Sequence, residues 1–110
     1  MIENNRLSQL VCGSAKRALH GQAPKGLRAY SFAVDSVRKC ILLRAHFAES
    51  PSGNDLEAIS IIETEIDADF LDHFEGETSI KVVAPGTTPS FLPNGIAYLR
   101  EGEPGMTCCE

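Results

Sequence analysis

The side chains best placed for chemistry are the carboxylates between residues 49 and 77, where ten Asp or Glu occur and no Lys or Arg. Glu63/Asp67 and Glu65/Asp69 stand four apart, so in a helix each pair shares one face. Paired carboxylates can move protons or hold a cation, and a solvated or partner-facing acidic surface has the same spacing. Like charges at this spacing cost a few tenths of a kcal/mol, which is a reason to expect a use for them beyond stability.

Other chemistries lack their constellations. His20, His46 and His73 fall in three separate segments and no Cys-x-x-Cys occurs, so no metal site is expected. There is no Gly-x-Ser-x-Gly elbow to set up a nucleophile; Ser60, His46 and Asp69 form no motif. Gly21, Gly26 and Gly53 are isolated turn glycines rather than a phosphate loop. Cys12 and Cys40 lie inside elements and Cys108-Cys109 at the C-terminus, which implies no disulfide framework. The expected protein is not an enzyme and carries no cofactor.

Charge is strongly segregated. Residues 1–48 sum to +6, residues 49–77 to −10 and the remainder to −1, for a net −5. The basic part includes Lys16, Arg17, Lys25, Arg28, Arg38, Lys39 and Arg44, but the acidic total and the lack of stacking aromatics among them, apart from Tyr30 and Phe32, argue against direct nucleic-acid binding. A polarised chain of this kind suits a strongly charged protein partner. The N-terminus has no signal-like run and no stretch approaches the ~20 apolar residues of a membrane span. A soluble, cytoplasmic protein without membrane contact is expected.

Periodicity supplies the elements that would position these groups. Leu7, Leu10, Val11, Ser14, Ala15, Ala18 and Leu19 follow one helical face from about Asn5 to His20, with Gly21 as the stop. Residues 27–34 alternate as a strand, with Arg28, Tyr30, Phe32 and Val34 on one side; Cys40 to Ala48 alternates as a second, giving an antiparallel hairpin. Ser52 and Asp55 spell a capping box for a second helix whose stripe is Leu56, Ile59, Ile62, Ile66 and Phe70. Glu57, Glu65, Asp69 and Asp72 oppose that stripe, while Glu63 and Asp67 flank it. Strands follow over 78–84 and 95–100, separated by a loop with Pro85, Pro89 and Pro93, and residues 102–110 read as a flexible tail.

The order αββαββ predicts an α+β two-layer sandwich over residues 1–101, with both helices on one face of a four-stranded sheet and the other face open. Its core should include Leu10, Leu19, Leu43, Phe47, Ile59, Ile62, Ile66, Val82 and Tyr98. The second helix either crosses over in parallel or returns its strand antiparallel.

Four stretches carry a family resemblance: Ser14-Ala15-Lys16-Arg17-Ala18-Leu19-His20-Gly21, Leu27-Arg28-Ala29-Tyr30-Ser31, Ile62-Glu63-Thr64-Glu65-Ile66-Asp67-Ala68-Asp69-Phe70 and Ala97-Tyr98-Leu99-Arg100-Glu101. Over about residues 14–101 the chain resembles immunity proteins of bacterial contact-dependent growth inhibition and polymorphic toxin systems. The resemblance implies an antitoxin that binds the C-terminal domain of a cognate toxin, usually a nuclease, and blocks its active site or substrate path. The loop 84–94 and the Cys108-Cys109-Glu110 end depart from that pattern.

A block of ten carboxylates can occupy a basic nuclease cleft, which makes 49–77 the candidate contact region, with Glu57, Glu65, Asp69 and Asp72 as its exposed charges. The competing contact is the surface around Tyr30, Phe91 and the 85–94 loop. A small enzyme and a nucleic-acid-binding accessory protein are the alternative functions.

Overall fold

A computed structural model describes residues 4–70, 74–103 and 105–107. The elements are α1 (Asn4–Leu19), β1 (Leu27–Asp35), β2 (Cys40–Phe47), α2 (Gly53–Asp69), β3 (Glu75–Val82) and β4 (Gly95–Leu99). This is the expected αββαββ order in an α+β fold. The strands lie in the order β3-β2-β1-β4. β1 pairs antiparallel with both β2 and β4, while β2 and β3 run parallel. Of the two connections open from sequence, α2 therefore makes the parallel crossover.

Local signals set the element ends. Gly21 has φ +74, a conformation that costs glycine little, and just beyond it the Gln22 and Ala23 amides close onto the Leu19 carbonyl. Gln22 also donates its side-chain amide to the Ala18 carbonyl at 2.7 Å. At α2 the capping box forms as read: Ser52 Oγ accepts from the Asp55 amide and Asp55 accepts from the Ser52 amide, both at 3.1 Å. In the β1–β2 loop Asp35 accepts from the Val37 and Arg38 amides, so the turn is closed by a side chain while Lys39 takes a left-handed φ of +56.

One sheet face meets both helices: α1 lies over β1 and β4, and α2 packs beside α1 and over β3. The core there joins Leu7, Val11, Ala15 and Leu19 of α1 to Tyr30, Phe32, Ile41, Leu43 and Phe47 of the sheet and Ile59, Ile62 and Ile66 of α2. Leu10 and Val82 do not belong to it, being 41% and 52% exposed. Leu10 lies at the rim of the buried α1 stripe, and Val82 ends an edge strand with no further strand beside it among the described residues. Leu56 is likewise exposed, and Tyr98 is only partly buried against the core.

The opposite face, expected to be open, is covered by the loop between β3 and β4. Leu92 donates its amide to Ser31 Oγ at 3.0 Å, Phe91 stacks edge-on against His46 at 5.2 Å, and Asn94 Oδ1 accepts the Val34 amide at 3.1 Å. Arg44 reaches the Ser90 carbonyl at 3.0 Å.

Arg28 organises this layer. The β1–β2 register slips between Leu27 and Ala29, so the strand bulges at Arg28 and turns it away from the Tyr30 and Phe32 side where strict alternation places it. Its guanidinium is 3% exposed and binds Glu103 through two bonds, of 2.8 and 2.7 Å. It also donates to the carbonyls of Val83, Ala84 and Thr87 at 2.9 to 3.2 Å. β3 therefore ends at Val82 rather than 84, since the next carbonyls belong to Arg28. Its start moves earlier, to Glu75, because the Glu75 amide bonds the Lys39 carbonyl at 2.9 Å. Glu103, in a segment read as tail, is anchored. Cys12 is disulfide-bonded, a bridge that the reading of no disulfide framework did not anticipate, whereas Cys40 is free; a cysteine's place within a helix says nothing of what lies beside it in space. Cys108 and Cys109 lie outside the described residues.

Removing one member of a buried ion pair strands the other. Arg28→Ala should therefore lower stability by about 3–5 kcal/mol in urea denaturation. Hydrogen bonding from Arg28 holds the Glu103 carboxyl below its ordinary range. Its contribution is present above that range and lost as pH falls through the depressed value, and Glu103→Gln should abolish that part of the acid sensitivity.

Candidate partner interface

The acidic block does not form one uniform surface. On the α1 side of α2, Asp69 accepts from Ser14 Oγ at 2.5 Å and sits 3.5 Å from Arg17, while Glu65 accepts from the Gln22 side chain at 3.0 Å. These two carboxylates border a shallow groove of about 270 Å³ between the helices. Asp69 is still 48% and Arg17 70% exposed, so both can meet a partner, but part of the acidic charge there is already matched from within. Glu57 points to solvent, with no ion pair among the described residues. Asp72 lies outside them.

On the β3 side, Glu63 and Asp67 are half-buried, as their flanking positions imply. The Asp67 carboxylate lies directly over Gly76, so close that a Cβ at that position would collide with it. A side chain at this position would have to displace the Asp67 carboxylate. Burial raises the Asp67 pKa, and none of the described residues supplies a cation to offset it.

Tyr30 and Phe91 do not make a common surface. Tyr30 is fully buried under the helices, and its register partner Ala45 shares that face. Its hydroxyl lies beside Thr78 and within electrostatic reach of Glu63 and Asp67, yet neither the Tyr30 nor the Thr78 hydroxyl has a well-formed hydrogen bond. Burial pushes the phenol pKa upward. Phe91 is on the opposite sheet face, half-buried against His46. As a contact residue Tyr30 is thus excluded by its burial, because strand alternation assigns a side but not which side is covered.

Sequence reading also missed Ser31 and His46, which meet at 2.8 Å through Oγ and Nε2. The two positions alternate onto one side of the hairpin, which was the available signal. A Ser–His contact invites a nucleophile–base reading, but both residues are fully buried, roofed by Phe91 and Leu92. His46 Nδ1 has no partner, so nothing orients the ring as a base. Ser31 Oγ already accepts the Leu92 amide, leaving its hydrogen to donate to a neutral His46 ring. The pair holds the loop against the sheet. Among the described residues no three metal-binding side chains converge.

Burial, reinforced by the charges of Arg44 and Arg28, lowers the His46 pKa from 6.5 to about 4. A depressed folded-state pKa means that stability is whole above 6.5 and declines as pH falls toward 4. The decline should be on the order of 2 kcal/mol across that window in denaturation at stepped pH, and His46→Gln should flatten it.

No curated protein matches the chain. A family model described as MafI2 immunity protein matches residues 8–102, from within α1 to beyond β4. The chain therefore belongs to the MafI2 immunity protein family, whose members are part of polymorphic toxin systems.

Proposed function

We propose that this protein neutralises a cognate nuclease toxin by binding the toxin's C-terminal domain and covering its active site or substrate path. An immunity role follows from the family. The nuclease target is supported by one observation above all: the carboxylates of α2 and β3 outnumber the cations near them, and a cleft built to bind phosphate is their electrostatic complement. The protein acts by occupation rather than catalysis, in the cytoplasm of the toxin-producing or neighbouring cell, where contact-dependent delivery would bring a nuclease to its nucleic acid.

The exposed charges Glu57, Glu65 and Asp69, together with Asp72, steer the encounter. Opposite charge accelerates association and is screened as salt rises, since the Debye length is only about 8 Å at physiological ionic strength. Asp69 also braces α1 through Ser14, so its reversal tests packing along with steering.

The test is binding to the toxin domain encoded beside this gene, followed by kinetics over a salt series. The wild-type protein should form a tight complex that inhibits nuclease activity. Reversing Glu57 and Glu65 to Lys should slow association about tenfold at low salt with little change in thermal stability. Absence of a complex, or salt-sensitive binding to free RNA or DNA instead, would overturn the reading.

A further inference from the structure

The sheet has two outer edges, and they differ. β4 has five residues, slips register between its pairings with Tyr30 and Ser31, and is followed by a turn in which the Glu103 amide bonds the Arg100 carbonyl. β3 has eight residues in unbroken parallel register with β2, from Cys40↔Glu75 to Phe47↔Val82.

The direction of its backbone groups follows from two bonds. Glu75 donates to the Lys39 carbonyl and Val83 to the Phe47 carbonyl, so the odd-numbered residues of this parallel ladder face β2. Gly76, Thr78, Ile80 and Val82 consequently turn their N–H and C=O groups outward. No described residue pairs with them. An edge of this length with free backbone groups is a template for another strand.

The surroundings of the edge select the occupant. Glu75 and Glu77 are exposed on β3, Asp67 of α2 lies over Gly76 and Glu63 is within electrostatic reach of the underlying Tyr30, while Lys81 and Arg44, which bonds Ser79 at 3.4 Å, are the cations beside the strand among the described residues. The Tyr30 hydroxyl, fully buried and without a well-formed hydrogen bond, lies beneath this group beside Thr78. Four carboxylates against two cations leave the edge net negative, so it repels a second copy of itself and attracts a basic segment.

We propose that the outer edge of β3 is the toxin's docking rail, on which an extended cationic segment of the toxin adds as a fifth strand. The inference rests on the immunity reading above and names the surface and the mode of contact. The added strand bonds Gly76, Thr78, Ile80 and Val82 through its backbone, and its Lys or Arg side chains meet Glu75 and Glu77 on one face and Asp67 on the other. Carboxylates beside an open edge also guard against self-pairing, so one arrangement both keeps the free protein apart and receives its partner.

Amide hydrogen exchange on the wild-type protein, with and without the toxin domain encoded by the neighbouring gene, tests this without relying on any variant. The amides of Gly76, Thr78, Ile80 and Val82 should slow at least roughly tenfold in the complex. Val82→Pro removes an outward N–H at an exposed edge position without touching the β2 ladder, and should weaken binding about tenfold. Glu75→Lys with Glu77→Lys should reduce the association rate by a similar factor at low salt. A complex that forms with these four amides unprotected overturns the docking rail and leaves the immunity reading standing; no complex at all overturns both. Protection that grows with protein concentration in the absence of toxin would make a second copy the occupant and equally overturn the proposal.

Discussion

A guanidinium that is buried must be neutralised and its donors satisfied, and much of this fold is arranged around doing so for Arg28. Glu103 supplies the charge and three carbonyls take further N–H groups. These partners come from chain positions more than fifty residues away, so a single side chain joins β1, the exit of β3 and the segment after β4. The bulge at Arg28 is the local adjustment that lets a strand residue serve in this way while Leu27 and Tyr30 stay in the core. The pair contributes less through its attraction than through what its loss would leave buried.

The two faces of the sheet are consequently closed by different physics. Against the helices the contact is apolar, with Phe32, Phe47 and the isoleucines of α2 excluding water. Against the loop it is polar and directional: Ser31 with His46 and Leu92, Arg44 with Ser90, Asn94 with Val34. A proline-containing loop suits this layer, because it has fewer amides to satisfy and Pro89 is itself buried there.

Closing both faces moves the unmatched chemistry to the flank where α2 meets β3. On the α1 side of the helix, Ser14, Arg17 and Gln22 answer the carboxylates; on the β3 side nothing among the described residues does. Like charge beside free backbone groups opposes pairing between copies of this edge. Membership of the MafI2 family and this asymmetry are separate observations that bear on the same function.

Sequence alone determined the features whose causes lie within a few residues. The cap at Ser52 and Asp55, the stop at Gly21, the stripe of Ile59, Ile62 and Ile66, the element order and the half-buried setting of Glu63 and Asp67 all follow from spacing and local bonding. The acidic block was equally plain, since it is a matter of counting. Only the tertiary structure decided which side of a strand is covered, which is why Tyr30 proved inaccessible and Val82 exposed. It alone set the bulge that redirects Arg28, the joining of Ser31 to His46, the loop over the second face and the division of the carboxylates into matched and unmatched groups. Each of these depends on groups distant in sequence, and a residue's type and spacing carry no record of what the fold will bring against it.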